Sequence, residues 1–271
     1  MDWTAVTALS PDILAPALVA GLLILATHVP LGVIVLNRGI IFIDIALAQV
    51  AALGVVFGNL MLGSVAGWAV QVSAIAAAVG CAMLLTWTDK KFPAIQEAII
   101  GAVYIVAAAV QIVLLSSSPN GLEYLKDLLV GQILWVSGTQ LLVLGLLTVA
   151  ALALWYLRDL VKERILFYGV FAVVITASVQ IVGVLLVFAS LIMPALATQH
   201  APPHWRLVIA FNLGAAGYLL GLVASAIFGI STGAAIACAL VLVAISTAWG
   251  LSRTVAAGAG TPAGAADPGP G

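Results

Sequence analysis

Charged residues are scarce in this chain. Nine Lys and Arg and ten Asp and Glu account for 7% of its 271 residues, while 64% are hydrophobic. The mean hydropathy is +1.27. A soluble domain carries roughly 25% charged residues, so the composition excludes an ordinary soluble protein and predicts a chain dissolved in lipid. The net charge of -1 argues against a nucleic-acid partner.

The residue types that usually build metal or catalytic sites are also few. Cys81 and Cys238 lie in apolar runs without metal-site spacing, which is typical of buried small hydrophobic residues. His200 and His204 flank two prolines in a predicted turn and are expected to be solvated. The chain has no P-loop and no His-Glu-x-x-His motif. It is therefore not expected to be an enzyme, and if it drives active transport the energy comes from elsewhere.

Long apolar runs fill most of the sequence. A membrane-spanning helix needs about 20 such residues, and the runs predict an all-α, polytopic transmembrane helix bundle with about 8–9 spans. The predicted spans are 13–36, 40–58, 62–87, 94–115, 133–157, 165–182, 184–199, 207–228 and 232–251. The two short runs before Thr198 could instead form one broken helix with a re-entrant piece, because Gly183 and Pro194 interrupt them.

The ends of the chain differ from the rest. Met1-Asp2-Trp3 lacks the basic region of a cleaved signal peptide, so the first span is expected to be retained. Residues 256–271 are rich in Ala, Gly and Pro and read as a disordered tail, which leaves 1–255 as the transmembrane domain.

Lys and Arg positions predict the orientation of the bundle. With the N-terminus outside and nine crossings, every Lys and Arg except Lys126 falls in the cytoplasm, as does the C-terminus. Merging 165–199 into one span would put Arg206 or Arg253 on the wrong side, so nine crossings are favoured.

A few polar residues lie inside these apolar runs, where a buried charge is costly and suggests a function. They are His28, Asp44, Gln49, Glu97, Gln111 and Gln180. His28 and Gln49 lie ten and eleven residues from Arg38, which places them about 15–17 Å from the turn, near the bilayer midplane. Asp44 and Glu97 each lie six residues past a basic residue, about 9 Å into the membrane. Two carboxylates at one level below a His/Gln pair could form a path for a cation.

Structural alternatives remain open for each of these residues. Asp44 and Glu97 fall in the first turns of their helices, where the helix dipole favours negative charge. Glu97 could also reach toward Lys90 or Lys91. His28 could bind a carbonyl freed by a kink at Pro30. The three glutamines could form hydrogen bonds between helices.

Several stretches, in the same order, resemble the membrane permease of ABC importers for zinc and manganese. The resemblance covers about residues 28–240. Its stretches are Pro30-Leu31-Gly32 with Arg38, 42–49 leading to Leu53-Gly54, 96–101, 130–137, 182–187 with 191–198, and a fainter one at 225–233.

The resemblance implies a permease with a type II ABC importer fold, working as a homodimer or pair in the bacterial cytoplasmic (inner) membrane. Its partners would be a separate cytoplasmic ABC ATPase and an extracytoplasmic metal-binding protein. No cofactor would be tightly bound, and a divalent metal ion would be the transported substrate.

Two features depart from that family. Its second helix usually carries an Asp followed four residues later by a His, whereas here Ile45 and Gln49 occupy those places and Asp44 lies one residue earlier. The cytoplasmic stretch that plausibly docks the ATPase is short here, at 158–164, so the contact could come from another loop such as 199–206.

The sequence therefore predicts a divalent-metal permease whose transient transport path uses His28, Asp44, Gln49 and Glu97. One alternative is a proton-coupled secondary transporter of a small solute, which would use the two carboxylates as proton-binding groups. The other is a membrane scaffold or sensor that retains the permease fold without transport.

Overall fold

The computed structural model describes residues 11–62, 67–116, 121–158, 160 and 162–259, and this part of the chain is helical with no strand. Its helices are α1 (Pro11–Arg38), α2 (Ile43–Leu62), α3 (Gly67–Lys91), α4 (Gln96–Leu115), α5 (Gly121–Val130), α6 (Gly138–Leu157), α7 (Arg164–Ala197), α8 (Pro203–Phe228) and α9 (Thr232–Ala259). Eight of them, all but α5, are long and apolar enough to cross a membrane. The predicted all-α transmembrane bundle is confirmed.

Helix α7 is broken at Gly183, where the backbone has φ 78° and ψ 165°. The half before the break runs along the full length of α3, from an ion pair between Arg164 and Asp89 to a hydrogen bond between Gln180 and Gln71. The half after the break returns, because the backbone at Leu191 packs closely against Gly32 of α1. The chain therefore reverses direction at Gly183, between the two runs predicted at 165–182 and 184–199.

The reversal at Gly183 needs glycine at two positions. Gly131, just after α5, also has a positive φ of 69°, and a Cβ there would lie 2.1 Å from the carbonyl carbon of Val182. A Cβ on Gly183 would lie 2.4 Å from the Gly131 nitrogen. The close approach lets the Gln132 N–H donate to the Ile181 carbonyl, at 3.2 Å, which ties α5 to the break. Left-handed backbone is available to glycine at little cost.

The basic residues divide the bundle into two ends. Arg38, Lys91 and Arg164 lie at one end, called here the basic end, where the Arg38 guanidinium sits 4.3 Å from the Phe167 ring centroid. Lys126 lies on α5, whose last residue, Val130, packs at the opposite end against Gly233. This separation of charge is the one expected from the sequence.

Helix α7 forms the centre of the core. Its aromatic residues Phe167, Tyr168 and Phe171 are buried, and it packs against α1, α2, α3 and α9. Small residues bring the outer helices close, as where Gly221 of α8 packs on the backbone of Ile236 in α9. Such small-residue contacts are typical of helix packing in lipid, where no hydrophobic force drives helices together.

Helix α5 was not expected from the apolar runs. It is short and carries Glu123, Lys126 and Asp127 on an otherwise apolar sequence. Its charges kept it out of the predicted spans, and the span predicted at 133–157 begins as a helix only at Gly138. At the other end of the chain, α9 continues to Ala259, and the rest of the predicted tail, 260–271, lies outside the described residues.

Candidate transport path

Asp44 is the most unusual polar residue of the membrane helices. It lies in the first turn of α2, where the chain enters the helix after the turn at Gly39, and its side chain is fully buried. Neither carboxylate oxygen has a hydrogen-bond partner. The backbone N–H groups of Asp44 and Ile45 lie close enough to favour its charge, although neither meets the geometry of a hydrogen bond. The helix dipole favours the charge there, but burial of a carboxylate without a partner remains costly.

Glu97 lies beside Asp44. Its Oε1 accepts a hydrogen bond from the Phe42 N–H at 3.2 Å, and Phe42 is two residues before Asp44. Its Oε2 is buried without a partner. The two carboxylates are close enough to interact electrostatically, so the structure brings them to one level on α2 and α4. Lys91 instead lies over the Trp87 ring, 5.0 Å from its centroid.

His28 is fully buried in α1 and has one nitrogen without a partner. Nδ1 lies 2.9 Å from the Ile24 carbonyl, which can only accept, so Nδ1 carries the proton and donates. Nε2 is buried with no hydrogen-bond partner and holds a lone pair. The hydrogen bond is to Ile24 on the preceding turn, and not to the carbonyl of Ala26 that Pro30 leaves free. A histidine fixed in this way through Nδ1 is a common arrangement for metal binding through Nε2.

The glutamines pair between helices. Gln111 Nε2 of α4 donates to the backbone carbonyl of Gln49 at 2.7 Å and to its Oε1 at 2.8 Å. Gln71 of α3 donates to Gln180 of α7. These contacts agree with the interpretation of the glutamines as links between helices. They use the side-chain oxygen of Gln49, Oε1, as an acceptor.

The four residues predicted for the path are only partly brought together. Asp44 and Glu97 are neighbours, and Gln49 lies on the same helix as Asp44, about one and a half turns toward the far end. His28 is separate, since α1 and α2 share little contact and each packs against α7. Among the described residues, no three His, Cys, Asp or Glu side chains converge as a metal site would require.

A polar cluster at the basic end was not singled out from the sequence. Arg38 donates to the Leu160 carbonyl at 3.3 Å, and its charge interacts with Asp89 and Tyr168. Asp89 also pairs with Arg164 at 3.1 Å. The cluster ties α1, α3 and α7 together just below the two carboxylates. Arg38 and Arg164 entered the sequence argument only as markers of topology, because their partners are far apart in the chain.

Two further sequence motifs lie at the connections on either side of α8. His200 lies in the turn before α8 and His204 in the first turn of that helix, and both are exposed, as expected. Residues 229–233 have the letters Gly-x-Ser-x-Gly of a nucleophile elbow, but they form a turn between two helices, with Gly229 as a left-handed cap. The elbow requires a strand leading into a helix, and Ser231 lies exposed on this turn.

Comparison with known proteins identifies the class. The profile of the ABC 3 transport family matches residues 10–164 and 159–250. The fold is similar to that of PsaBC from Streptococcus pneumoniae in complex with Fab, with a TM-score of 0.70 and 19% identity over 87% of this chain and 90% of that one. It is also similar to an inward-facing conformation of a metal-chelate type ABC transporter, with a TM-score of 0.61 and 19% identity over 90% of this chain and 85% of the other.

The fold and these matches define a multi-pass membrane permease of the ABC type. The chain belongs to the ABC 3 transport family. The secondary-transporter alternative is thereby disfavoured, since members of this class are permease components of ABC transporters.

Proposed function

We propose that the chain is the permease subunit of an ABC importer for a divalent transition metal, zinc or manganese. The observation that carries the proposal is Asp44, a fully buried carboxylate with no hydrogen-bond partner on either oxygen. A fold retains such a group against its desolvation cost when the group acts on a ligand. A passing cation supplies the missing partner.

The carboxylates act at the inner stage of transport. Asp44 and Glu97 lie on neighbouring helices at one level, and together they neutralise a divalent charge that has left water. Each has a buried oxygen without a hydrogen-bond partner, so neither must break a strong contact to bind the ion. Because a passing ion must also be released, two carboxylates suit transport better than a closed four-ligand site.

Other ligands act nearer the midplane. His28 offers the lone pair of Nε2, and Gln49 offers the second lone pair of the Oε1 that accepts from Gln111. Since α1 and α2 both pack on α7, a movement of α7 at Gly183 changes the distance between these two residues. Alternating access then consists of opening and closing the space between α1, α2 and α4.

The donor set allows a weak preference between metals. It contains one imidazole, two carboxylates and one amide oxygen, with no thiolate. Oxygen donors suit manganese, whereas zinc gains more from imidazole and thiolate ligands. Manganese is therefore the somewhat better substrate, and zinc is the alternative. Measured uptake of each metal distinguishes the two.

The remaining subunits follow from the ABC class. A cytoplasmic ATPase supplies energy, an extracytoplasmic binding protein delivers the metal, and a second copy of the permease completes the transporter in the bacterial inner membrane. The basic end faces the cytoplasm by the positive-inside rule, with the N-terminus outside. The first turn of α8, within the 199–206 stretch, exposes Trp205, 55% accessible, beside His204, and it offers the ATPase a contact in place of the short 158–164 stretch.

Metal uptake by cells tests the proposal. Cells that carry Asp44→Ala should lose most ATP-dependent uptake of manganese or zinc, at unchanged permease abundance. Glu123→Ala is the matched control, because it removes an exposed carboxylate on α5, and it should leave uptake normal. Normal uptake by Asp44→Ala would end the role assigned to this residue. Absence of any permease-dependent flux of either metal would favour the scaffold or sensor alternative.

A further inference from the structure

A continuous groove follows the exposed side of α7 before the break at Gly183. One cavity of about 320 Å³ lies between α3 and α7, and another of about 440 Å³ lies between α6 and α7. They share Val79, Ile165 and Gly169, so they form one groove, called here the α3–α7 groove. Its walls are mostly apolar, and no side chain of α7 fills it at Gly169, where a Cβ would meet nothing within 4 Å.

The groove opens at the basic end into a third cavity of about 530 Å³ with a different chemistry. Lys90, Lys162 and Arg164 line this cavity, together with Glu163. Glu163 pairs with Arg158 at 3.3 Å, and Arg164 pairs with Asp89 at 3.1 Å. In the sequence, 89–91 and 158–164 hold five basic and three acidic residues. The mouth of the groove is therefore positive.

We infer that the α3–α7 groove binds an anionic phospholipid. The apolar walls between Val79 and Val174 accept an acyl chain, and the phosphate lies at Lys90 and Lys162. Trp87, half exposed at the same level, marks the membrane–water interface, where tryptophan is enriched. Basic pockets between membrane helices at the cytoplasmic side commonly hold such headgroups.

This arrangement gives the lipid a structural role. The groove runs along the half of α7 before Gly183 and touches α3 and α6. A bound acyl chain packs against that half and not against the half after the break, so the lipid favours one position of the helix. The inference does not depend on the transported substrate.

Native mass spectrometry of the purified full-length permease tests the inference. Phosphatidylglycerol and phosphatidylcholine with identical acyl chains are added separately. We expect phosphatidylglycerol to bind more tightly, and the double variant Lys90→Gln, Lys162→Gln to weaken it about 25-fold, or about fivefold for each lysine. Lys126→Gln at the opposite end is the matched control and should bind like the wild type.

A second pair of variants tests the groove itself. Gly169→Leu fills the open space and should reduce binding of both lipids, whereas Gly80→Leu, exposed on α3 outside the groove, should not. The elution profile in size-exclusion chromatography checks that each variant is folded. Equal binding of the two lipids, or unchanged binding by both the lysine and the Gly169 variants, would overturn the inference. A permease dimer that Gly169→Leu converts to monomer would do so as well, because a second copy would then occupy the groove.

Discussion

Replacing Asp44 by Asn should make the protein more stable and less active. The substitution keeps the shape of the side chain and removes the charge. Where a destabilised site is retained for activity, a stabilising substitution loses function, so a gain in stability with a loss of activity identifies such a residue.

The size of the gain follows from burial. Asp44 is fully buried and both oxygens lack hydrogen-bond partners. A buried polar group left without a partner costs about 1–3 kcal/mol, and a charged group costs more. A neutral amide recovers part of this cost, so we expect a gain of about 1–3 kcal/mol in the free energy of unfolding. At about 2–4 °C per kcal/mol for a chain of this size, the melting temperature should rise by several degrees.

Thermal unfolding of the detergent-purified protein, with and without manganese or zinc, measures the gain in stability and the loss of metal binding. The wild type should gain about 2.7 kcal/mol when the metal is present at 100 times its Kd. Asp44→Asn should start from a higher melting temperature and gain little from the metal. Glu123→Gln, an exposed substitution, should change neither quantity.

Two results would refute this reasoning. If Asp44→Asn lowers the melting temperature, the carboxylate forms a stabilising contact in the folded protein and its burial is not a cost. If the variant and the wild type gain equally from the metal, the carboxylate does not bind it.

Three other substitutions test the fold and its partners. Gly183→Ala should lower the free energy of unfolding by at least about 2 kcal/mol, because it adds a clash to a left-handed backbone. Gly169→Ala is the control and should be neutral or stabilising. Urea or thermal unfolding compares the two variants. Gln111→Leu should cost about 1–3 kcal/mol by leaving the side-chain Oε1 of Gln49 unpaired, and a double-mutant cycle with Gln49→Leu should show that the costs are not additive. Trp205→Ala should reduce co-purification of the ATPase without changing the melting temperature, and full retention would exclude this turn as the contact.

The sequence predicts the bundle well because lipid imposes a simple rule. Every backbone group in the membrane must be paired within a helix, so apolar runs and their charged ends locate the helices. The break at Gly183 was foreseen for the same reason. Helix α5 was missed because its charges remove the apolar signal, although Glu123, Lys126 and Asp127 lie on a regular helix.

Depth along a helix could be predicted, but the direction of a side chain could not. Counting residues from Arg38 and Lys91 placed Asp44 and Glu97 at one level, and the contact between Glu97 and the Phe42 N–H agrees. The same count paired His28 with Gln49 at the midplane. In the structure Gln49 pairs with Gln111 instead, because the packing of α1 and α2 on α7 decides which faces meet.

ATP-driven metal accumulation in proteoliposomes tests the central claim most directly. The permease is reconstituted with its co-purified ATPase and supplied with its metal-binding protein, and uptake of manganese and of zinc is followed with ATP, without ATP, and with a proton gradient alone. The account predicts accumulation that requires ATP and is abolished by Asp44→Ala. Accumulation driven by the proton gradient without ATP, or equal uptake by Asp44→Ala, would contradict it.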